Sequence, residues 1–413
     1  MRRGGLVLAA VCLGALFLLP APAPAFSERQ FEEGSVSLRG FTGLSAAYSR
    51  NPEAAAFYDR REDLFWDLEQ RLLVAANYRE NIRFDLNLLE SIRTAPNPGL
   101  GARPVGTERS GLLFWQQHAS TNSEASLSVD TAAFHYVHRN IEWSLGRQPV
   151  NLATTMYFSP NDFFAPFAAQ TFYRAYKPGV DSGRAEVRLG NLAQLSLIGV
   201  LGYSAESDTD TEWRNRPDWS RNSLLARLAV NRHDWEWGLL AGLVRDQRIT
   251  GASLQGELFD WLGVRAEGHY AAPEQEGVSG GTEVSVGIEH RFANSLELRL
   301  EQFHHGQGYS SSSALNQALA AGCLREGYTG RDYTALGAGY EFSPLLTGQA
   351  LLIANWSDQS QLLSLNGVYS LSDEAELAVT LSIPWGDKAE SGAIGSELGI
   401  LPTTLLWSLR GYY

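Results

Sequence analysis

The sequence predicts an all-β protein, a transmembrane up-and-down antiparallel β-barrel of about 18 strands, with 16 as the alternative count. Two observations support this prediction. Apolar and polar side chains alternate along most of the chain, as they do in strands that separate lipid from water. Short turns and long connections also alternate, which is typical of hairpins with tight turns at one end of a barrel and long loops at the other.

The alternation is clearest in a few segments. Residues 82–88 read Ile-Arg-Phe-Asp-Leu-Asn-Leu, with the apolar side chains on one face and the polar ones on the other. Residues 296–301 and 376–383 repeat this pattern. The predicted strands lie near residues 35–48, 64–77, 82–92, 124–137, 141–151, 183–190, 193–203, 221–231, 234–245, 249–259, 262–271, 282–291, 295–305, 332–342, 347–356, 360–370, 374–384 and 401–413.

The connections between these strands come in two kinds. Short turns are predicted at residues 78–81, 138–140, 190–192, 232–233, 291–294, 343–346 and 371–373. Long loops are predicted at residues 49–63, 92–123, 152–182, 204–220, 272–281, 306–331 and 385–400, with two short ones near 245–248 and 357–360. We expect an even strand count because both chain ends then lie on the short-turn, periplasmic side. The sheet must close, since each unpaired edge group in hydrocarbon costs several kcal/mol.

Composition excludes several other classes of protein. The chain has 413 residues, a formal net charge of -13 and 2 cysteines, and its mean hydropathy is -0.19. A protein with many membrane helices needs long apolar runs, and a disulfide scaffold needs more cysteine. An acidic chain is atypical of nucleic-acid binding, so we expect no nucleic-acid partner. The chain has no C-x-x-C-H haem attachment motif and no zinc spacing, so we expect no cofactor. A secreted β-sandwich or propeller is the alternative fold, and it leaves the loop alternation unexplained.

The N-terminus has the features of a cleaved secretory signal peptide. Arg2 and Arg3 precede an apolar run over residues 6–19, and the sequence Ala-Pro-Ala ends at residue 25. Cleavage of residues 1–25 leaves residues 26–413 as one barrel domain. The mature chain then has 33 - 2 = 31 basic and 46 acidic residues, a net charge of -15. Together with the predicted barrel, these features predict that the protein is located in the outer membrane of a Gram-negative bacterium.

Aromatic residues are predicted to form two girdles at the membrane interfaces. One set is predicted to face lipid near the periplasmic ends: Trp143, Trp235, Trp237, Tyr340 and Phe342. The other set is predicted near the outer ends: Trp66, Tyr203, Tyr270 and Trp356. The final strand alternates and ends in Tyr413, which resembles the signal read by the outer-membrane barrel assembly machinery. We therefore expect outer-membrane lipid and that machinery as partners.

Alternation also predicts which charged residues line the lumen. The inward positions carry ten arginines, Arg39, Arg71, Arg83, Arg184, Arg188, Arg227, Arg265, Arg291, Arg299 and Arg410. They carry fifteen carboxylates, Asp67, Glu69, Asp85, Asp130, Glu142, Glu186, Glu236, Glu257, Glu267, Glu283, Glu289, Glu297, Glu301, Glu341 and Glu376. Many of these are expected to form cross-strand ion pairs that stiffen the wall. The excess of carboxylates predicts a mild cation preference or tolerance of neutral solutes.

The loop at residues 152–182 is the candidate constriction. A barrel of about 18 strands is roughly 35 Å wide, which leaves a water-filled passage unless a loop folds in. This loop is rich in aromatic residues that a solvated surface does not need. Three interpretations stay open, namely packing inside the barrel mouth, an extracellular lid, and contact with a partner protein. The candidate constriction residues are Asp162, Phe163, Phe164, Phe167 and Lys177.

Three motifs resemble a segment of large porin-like outer-membrane barrels. They are Leu-Gly-Arg-Gln at residues 145–148, Ser-Pro-Asn-Asp-Phe-Phe-Ala-Pro at 159–166 and Lys-Pro-Gly-Val-Asp at 177–181. Alginate-export-type channels are one such group. A second group sheathes periplasmic multihaem cytochromes in an electron-transfer conduit without itself carrying haem. The resemblance implies a passive channel for small polar solutes or ions, with a cytochrome sheath as the alternative. Arginine does not dominate the predicted lumen, which departs from the pattern expected for polyanion export.

An outer-membrane hydrolase is the second alternative. His304 and His305 precede Ser310 and Ser311, and Asp332 follows in sequence. A nucleophilic triad requires such groups within hydrogen-bond reach of each other, which sequence proximity does not establish. We therefore predict that the protein is not an enzyme. Acidic residues in loop 204–220 lack the regular spacing of a calcium loop, so we predict no metal site.

Overall fold

A computed structural model describes most of the chain after the predicted signal peptide. The described residues are 27–53, 58, 60–94, 108–119, 123–204, 216–274, 279–320, 328–389 and 393–413. The predicted signal peptide and most of the acidic residues of loop 204–220 lie outside these ranges.

The described chain folds almost entirely into β-strands. They are β1 Ser27–Phe31, β2 Gly34–Arg50, β3 Glu62–Tyr78, β4 Ile82–Thr94, β5 Phe114–Ala119, β6 Ser123–His138, β7 Ile141–Gln148, β8 Val180–Leu189, β9 Ala193–Val200, β10 Ser223–Arg232, β11 Trp235–Val244, β12 Gln247–Leu258, β13 Leu262–Pro273, β14 Gly281–Arg291, β15 Glu297–His305, β16 Asp332–Ser343, β17 Leu346–Asn355, β18 Ser360–Ser372, β19 Ala375–Trp385 and β20 Thr403–Tyr412. One short α-helix, α1, spans Ser312–Ala320. Within the described ranges, no helix combines the length and the apolar character needed to cross a membrane.

Eighteen of these strands close into one antiparallel barrel. Each strand pairs with its neighbour in sequence, and β4 pairs with β6 directly. The wall closes where β20 pairs with β2, from Phe41 opposite Tyr412 to Arg50 opposite Thr403. The barrel and its strand count are therefore confirmed, and every predicted strand overlaps one strand of the ring.

Two strands were not predicted, and both cover an edge of the sheet. β1 pairs with residues 34–38 of β2, which lie in the part of β2 that β20 leaves unpaired. β5 pairs with residues 124–128 of β6, beyond the segment 132–138 that pairs with β7. Unpaired backbone groups at a sheet edge seek hydrogen-bond partners, and these short strands provide them.

The tight turns are set by local backbone conformation. His233 and Asp234, between β10 and β11, have φ of 54° and 63°. Arg245 and Asp246, between β11 and β12, have φ of 51° and 33°. Two successive residues of positive φ form the turn whose twist matches that of the flanking strands. These turns fix the register of the hairpins and so fix which face of each strand points inward.

The apolar face of the wall points outward. On β11, Trp237 and Leu239 are 53% and 61% exposed, whereas the next residue, the inward Leu240, is buried at 5%. Most predicted girdle residues are also exposed on this face, including Trp143, Phe342 and Trp356. The girdle prediction was wrong for Tyr203. This residue is buried, and its hydroxyl donates to Asp181 over 3.0 Å.

The wall has a special construction where β7 ends. Gly146 adopts φ of +125°, and a Cβ atom there would collide with the carbonyl oxygen of Ala132. Beyond β7, the segment 108–110 bridges β6 and β8. The fully buried Arg147 guanidinium donates to Asp181 over 2.7 Å and to the carbonyl of Ser110 over 2.8 Å. The chain leaves the wall at this point and enters the barrel.

Candidate functional site: a loop inside the barrel

Residues 149–179, which connect β7 to β8, run through the lumen. We call this segment the lumen loop. Its described contacts reach inward-facing side chains on β2, β3, β13, β15 and β20, strands that lie on different sides of the barrel. The lumen loop therefore spans the interior of the barrel and is held by more than one part of the wall.

Two buried wall carboxylates hold the first part of the lumen loop. Glu267 on β13 accepts the backbone N–H groups of Thr154, Thr155 and Asn161, the last over 3.2 Å. Glu301 on β15 accepts N–H groups of residues 156–158, at 2.9 Å for residue 156 and 2.5 Å for residue 158. Backbone amides without a secondary-structure partner need acceptors when buried, and a carboxylate accepts several at once. The two glutamates therefore anchor six residues of backbone.

A first apolar cluster packs the lumen loop against one side of the wall. The cluster contains residues from β8 to β12 that point inward near the long-loop end. Its loop members are Val150, Leu152 and Phe164, and its wall members are Val180, Ile198, Val200, Leu225, Leu240, Val244 and Ile249. Phe163 packs beside it, with its ring 5.0 Å from that of His269. The inner face that this part of the loop covers is thus apolar.

A second apolar cluster holds the loop against another part of the wall. Phe158 stacks on Phe303 of β15 with 5.0 Å between ring centroids. The ring of Tyr328 meets the Phe158 ring edge-on, also at 5.0 Å. Other members come from the lumen loop, from β16 to β18 and from residues 398–401, namely Ala169, Phe172, Tyr333, Ala335, Leu351, Ile353, Leu362, Leu398 and Leu401. Offset and edge-on aromatic pairs add about 0.5–1.5 kcal/mol each beyond area burial.

The returning part of the lumen loop presents two tyrosines to arginines. Arg410 of β20 lies 4.0 Å above the ring of Tyr173, and Arg71 of β3 lies 4.7 Å from that of Tyr176. Phe41 of β2 packs against both tyrosine rings. Arginine above an aromatic face is held by the ring quadrupole. These contacts complete the passage of the loop from one side of the wall to the other.

A buried ion pair links two parts of the lumen loop. Lys177 donates to the carboxylate of Asp162, and both side chains are less than a tenth exposed. Burial raises the pKa of the Asp162 carboxyl and lowers the pKa of the Lys177 ammonium, although each partner opposes the shift of the other. The pair joins the middle of the loop to its returning end, and each charge depends on the other for compensation.

A second loop, residues 386–402, is fixed in a similar way. Glu397 accepts the N–H of Thr329 over 2.9 Å, the amide of Asn355 over 2.7 Å and the hydroxyl of Tyr333. Burial raises the pKa of the Glu397 carboxyl. This loop brings Leu398 into the second apolar cluster, where it packs with residues of the lumen loop.

The strand register places the predicted lumen residues on the face of the wall that carries Glu267 and Glu301. Asp130 lies at a bulge on β6, where the register with β4 shifts by one residue. Many of them form ion pairs along the wall. Cross-strand pairs include Arg227 with Glu236 at 3.1 Å, Arg265 with Glu289 at 2.9 Å, Arg299 with Glu289 at 3.2 Å, Arg410 with Glu376 at 2.7 Å and Arg71 with Asp130 at 2.7 Å. Others pair within one strand, such as Arg83 with Asp85 at 2.8 Å and Arg184 with Glu186 at 3.7 Å.

The sequence did not reveal several residues that hold the lumen loop. Tyr176, Arg174 and Glu397 were not singled out, and neither were the inward apolar residues of the two clusters. Arg174 braces the loop internally by donating to carbonyls at residues 156, 169 and 171. A usable signal existed for the apolar residues. Consecutive apolar residues at 239–240 and 351–353 interrupt the alternation and mark inward positions that a loop covers.

The residues considered for hydrolysis do not assemble into a triad. His304 Nδ1 lies 2.7 Å from Asp332 on the outward face of the wall. Ser311 instead accepts the N–H of Ala314 at the start of α1. Among the described residues, no group of three or more His, Cys, Asp or Glu side chains is arranged to hold a metal ion.

These features define a class of protein by fold, the large porin-like β-barrels. Among solved structures, the chain is similar to OccK9 (OpdG) of Pseudomonas aeruginosa, at 13% identity and a TM-score of 0.58, covering 92% of this chain and 98% of that chain. It is also similar to OccAB1 of Acinetobacter baumannii, at 10% identity and a TM-score of 0.57, covering 92% of this chain and 96% of that chain. A third similar structure is OccAB4 of the same organism, at 10% identity and a TM-score of 0.56, covering 95% of this chain and 100% of that chain. At these identities the likeness is one of fold. No family model matches the chain, and no curated protein matches it.

Proposed function

We propose that the protein is an outer-membrane channel for passive passage of small polar solutes and ions, narrowed by the lumen loop. One observation carries the proposal: a closed barrel with a charged inner wall is crossed by a loop that wall carboxylates hold in place. A closed barrel with a polar interior gives water a route through hydrocarbon. A loop anchored across that route reduces its width and sets which solutes pass.

The wall charges suggest a weak preference for cations. Carboxylates outnumber arginines on the inner face, fifteen to ten, at the positions named above. Most of the arginines are neutralised by direct pairing, so the remaining field comes from the excess of carboxylates. The effect is expected to weaken at high salt because the Debye length falls from about 10 Å at 0.1 M to about 3 Å at 1 M.

Planar-bilayer recording tests both parts of this proposal. The purified full-length protein is expected to produce discrete conductance steps. Under a KCl gradient, the zero-current potential should indicate a cation-to-anion permeability ratio above one. Glu257→Gln removes an exposed carboxylate on the inner face and should lower this ratio. Glu274→Gln removes the same charge outside the strands and is the matched control. Absence of current above background would reject the channel, and a ratio at or below one would reject the cation preference.

No observation favours the cytochrome-sheath alternative. A sheath needs an interior that is free to receive the partner. Here both apolar clusters and the tyrosine–arginine contacts occupy space inside the barrel.

A further inference from the structure

The outward surface of the barrel has a groove that the proposed channel does not use. It lies at the long-loop end of the barrel, beside the end of β7, where the segment 108–113 lies next to the wall. The cavity measures about 840 Å³. Six residues on the outward face define what we call the wall groove, namely Ala132, Leu145, Gly183, Gly199, Leu224 and Leu243.

Two glycines create the depth of the wall groove. Gly183 and Gly199 are register partners on β8 and β9. A Cβ atom on Gly183 would meet its nearest neighbour at 3.5 Å, and one on Gly199 at 3.9 Å, which are ordinary contacts. Neither residue has the positive φ that requires glycine. The backbone therefore tolerates a side chain at both positions, and what glycine provides there is empty space.

The walls of the groove are apolar and continue the band that faces hydrocarbon. Leu145 and Leu224 are 69% and 63% exposed on its two sides, and Trp219 stands exposed at the outer end. The polar groups at its base bond to one another, since Arg147 and Tyr203 both donate to Asp181. The groove therefore presents an apolar surface to its occupant and directs no uncompensated charge toward it.

We propose that the wall groove binds one acyl chain of a membrane phospholipid. The groove opens onto the apolar band of the barrel, so lipid is the medium that meets it. Its volume lies in the range of about 300–1,000 Å³ typical of small-molecule pockets. A straight hydrocarbon chain matches its shape and its lack of free polar groups. A second copy of the barrel is a poorer match, because a symmetric contact sets one concave surface against another and leaves both unfilled.

Native mass spectrometry of the full-length protein in mild detergent, with dimyristoyl phosphatidylethanolamine added, tests this site. The wild type should retain one lipid per protein, and Gly199→Leu should lower the retained fraction several-fold by filling the groove. Gly367→Leu is the matched control, because Gly367 is an outward glycine on β18 with open space around it. It should retain lipid like the wild type. Gly183→Leu repeats the test if Gly199→Leu fails to fold.

Three results would overturn the proposal. Equal retention by the wild type and a folded groove variant would show that the groove takes no chain. Retention of lipid A without retention of phospholipid would overturn the source assigned here. A dimer that Gly199→Leu disrupts would assign the groove to a second copy instead. The lipid measurement is independent of conductance, so a failed channel assay would leave it unaffected.

Discussion

Glu301→Gln is expected to raise the mean single-channel conductance and to add fluctuations between open levels. Glutamine offers one carbonyl oxygen and an NH2 group where Glu301 accepts backbone N–H groups of residues 156–158. A hydrogen bond to a charged group contributes about 1.5–3 kcal/mol, and every 1.4 kcal/mol changes a population about tenfold. The displaced state of the lumen loop should therefore become populated. Glu267→Gln should act in the same direction, and the double variant should have the largest effect.

The control for this experiment is Glu257→Gln, which removes a carboxylate from the same inner face of the wall. It should alter ion selectivity without producing new conductance levels. If Glu301→Gln and Glu257→Gln give the same single-channel record, Glu301 contributes only its charge, and the anchoring role assigned to it is wrong.

Lys177→Met is expected to destabilise the packed lumen loop by about 3–5 kcal/mol, the usual effect of breaking a buried ion pair. The substitution leaves the Asp162 carboxylate buried without its partner. Protease should then cleave the lumen loop faster than in the wild type. The double variant Lys177→Met/Asp162→Asn removes both charges and should recover much of the protection.

The pH dependence of Lys177→Met provides a second readout. Burial raises the pKa of the Asp162 carboxyl above its unfolded value of about 3.9. The destabilisation is therefore present above the folded pKa and disappears as pH falls below the unfolded value. Protection of the loop in Lys177→Met should recover at acidic pH, and the double variant should not show this dependence. Additive effects of the two single substitutions would contradict direct coupling between Asp162 and Lys177.

The strands could be predicted because their signal is local. Each strand shows apolar and polar side chains in alternation, as in residues 82–88, because one face meets lipid and the other water. The tight turns then join neighbouring strands into hairpins. The same alternation placed Glu267 and Glu301 on the inner face. Their role as anchors was not visible, because their partners are backbone amides more than a hundred residues away in sequence.

Other features depended on the closed barrel. β1 and β5 are short, and they form because β2 and β6 extend past their neighbours in the staggered wall. Tyr203 has the sequence character of a girdle aromatic, yet it is buried against Asp181 at the junction where β7 ends. Neither outcome is encoded in the residues nearby. Both follow from places in the wall where strands of unequal length leave part of a neighbouring strand without a partner.

The alternating strands, their number, the even strand count and the polar face of the wall could be predicted from the amino-acid sequence. These follow from one physical requirement, that each residue meets either hydrocarbon or water. The path of residues 149–179 through the lumen could be seen only in the folded protein, because it depends on contacts between a loop and distant wall positions. A third environment then appears, a dry interior inside the barrel. Leu240 and Phe303 point inward because the loop, not water, covers them there.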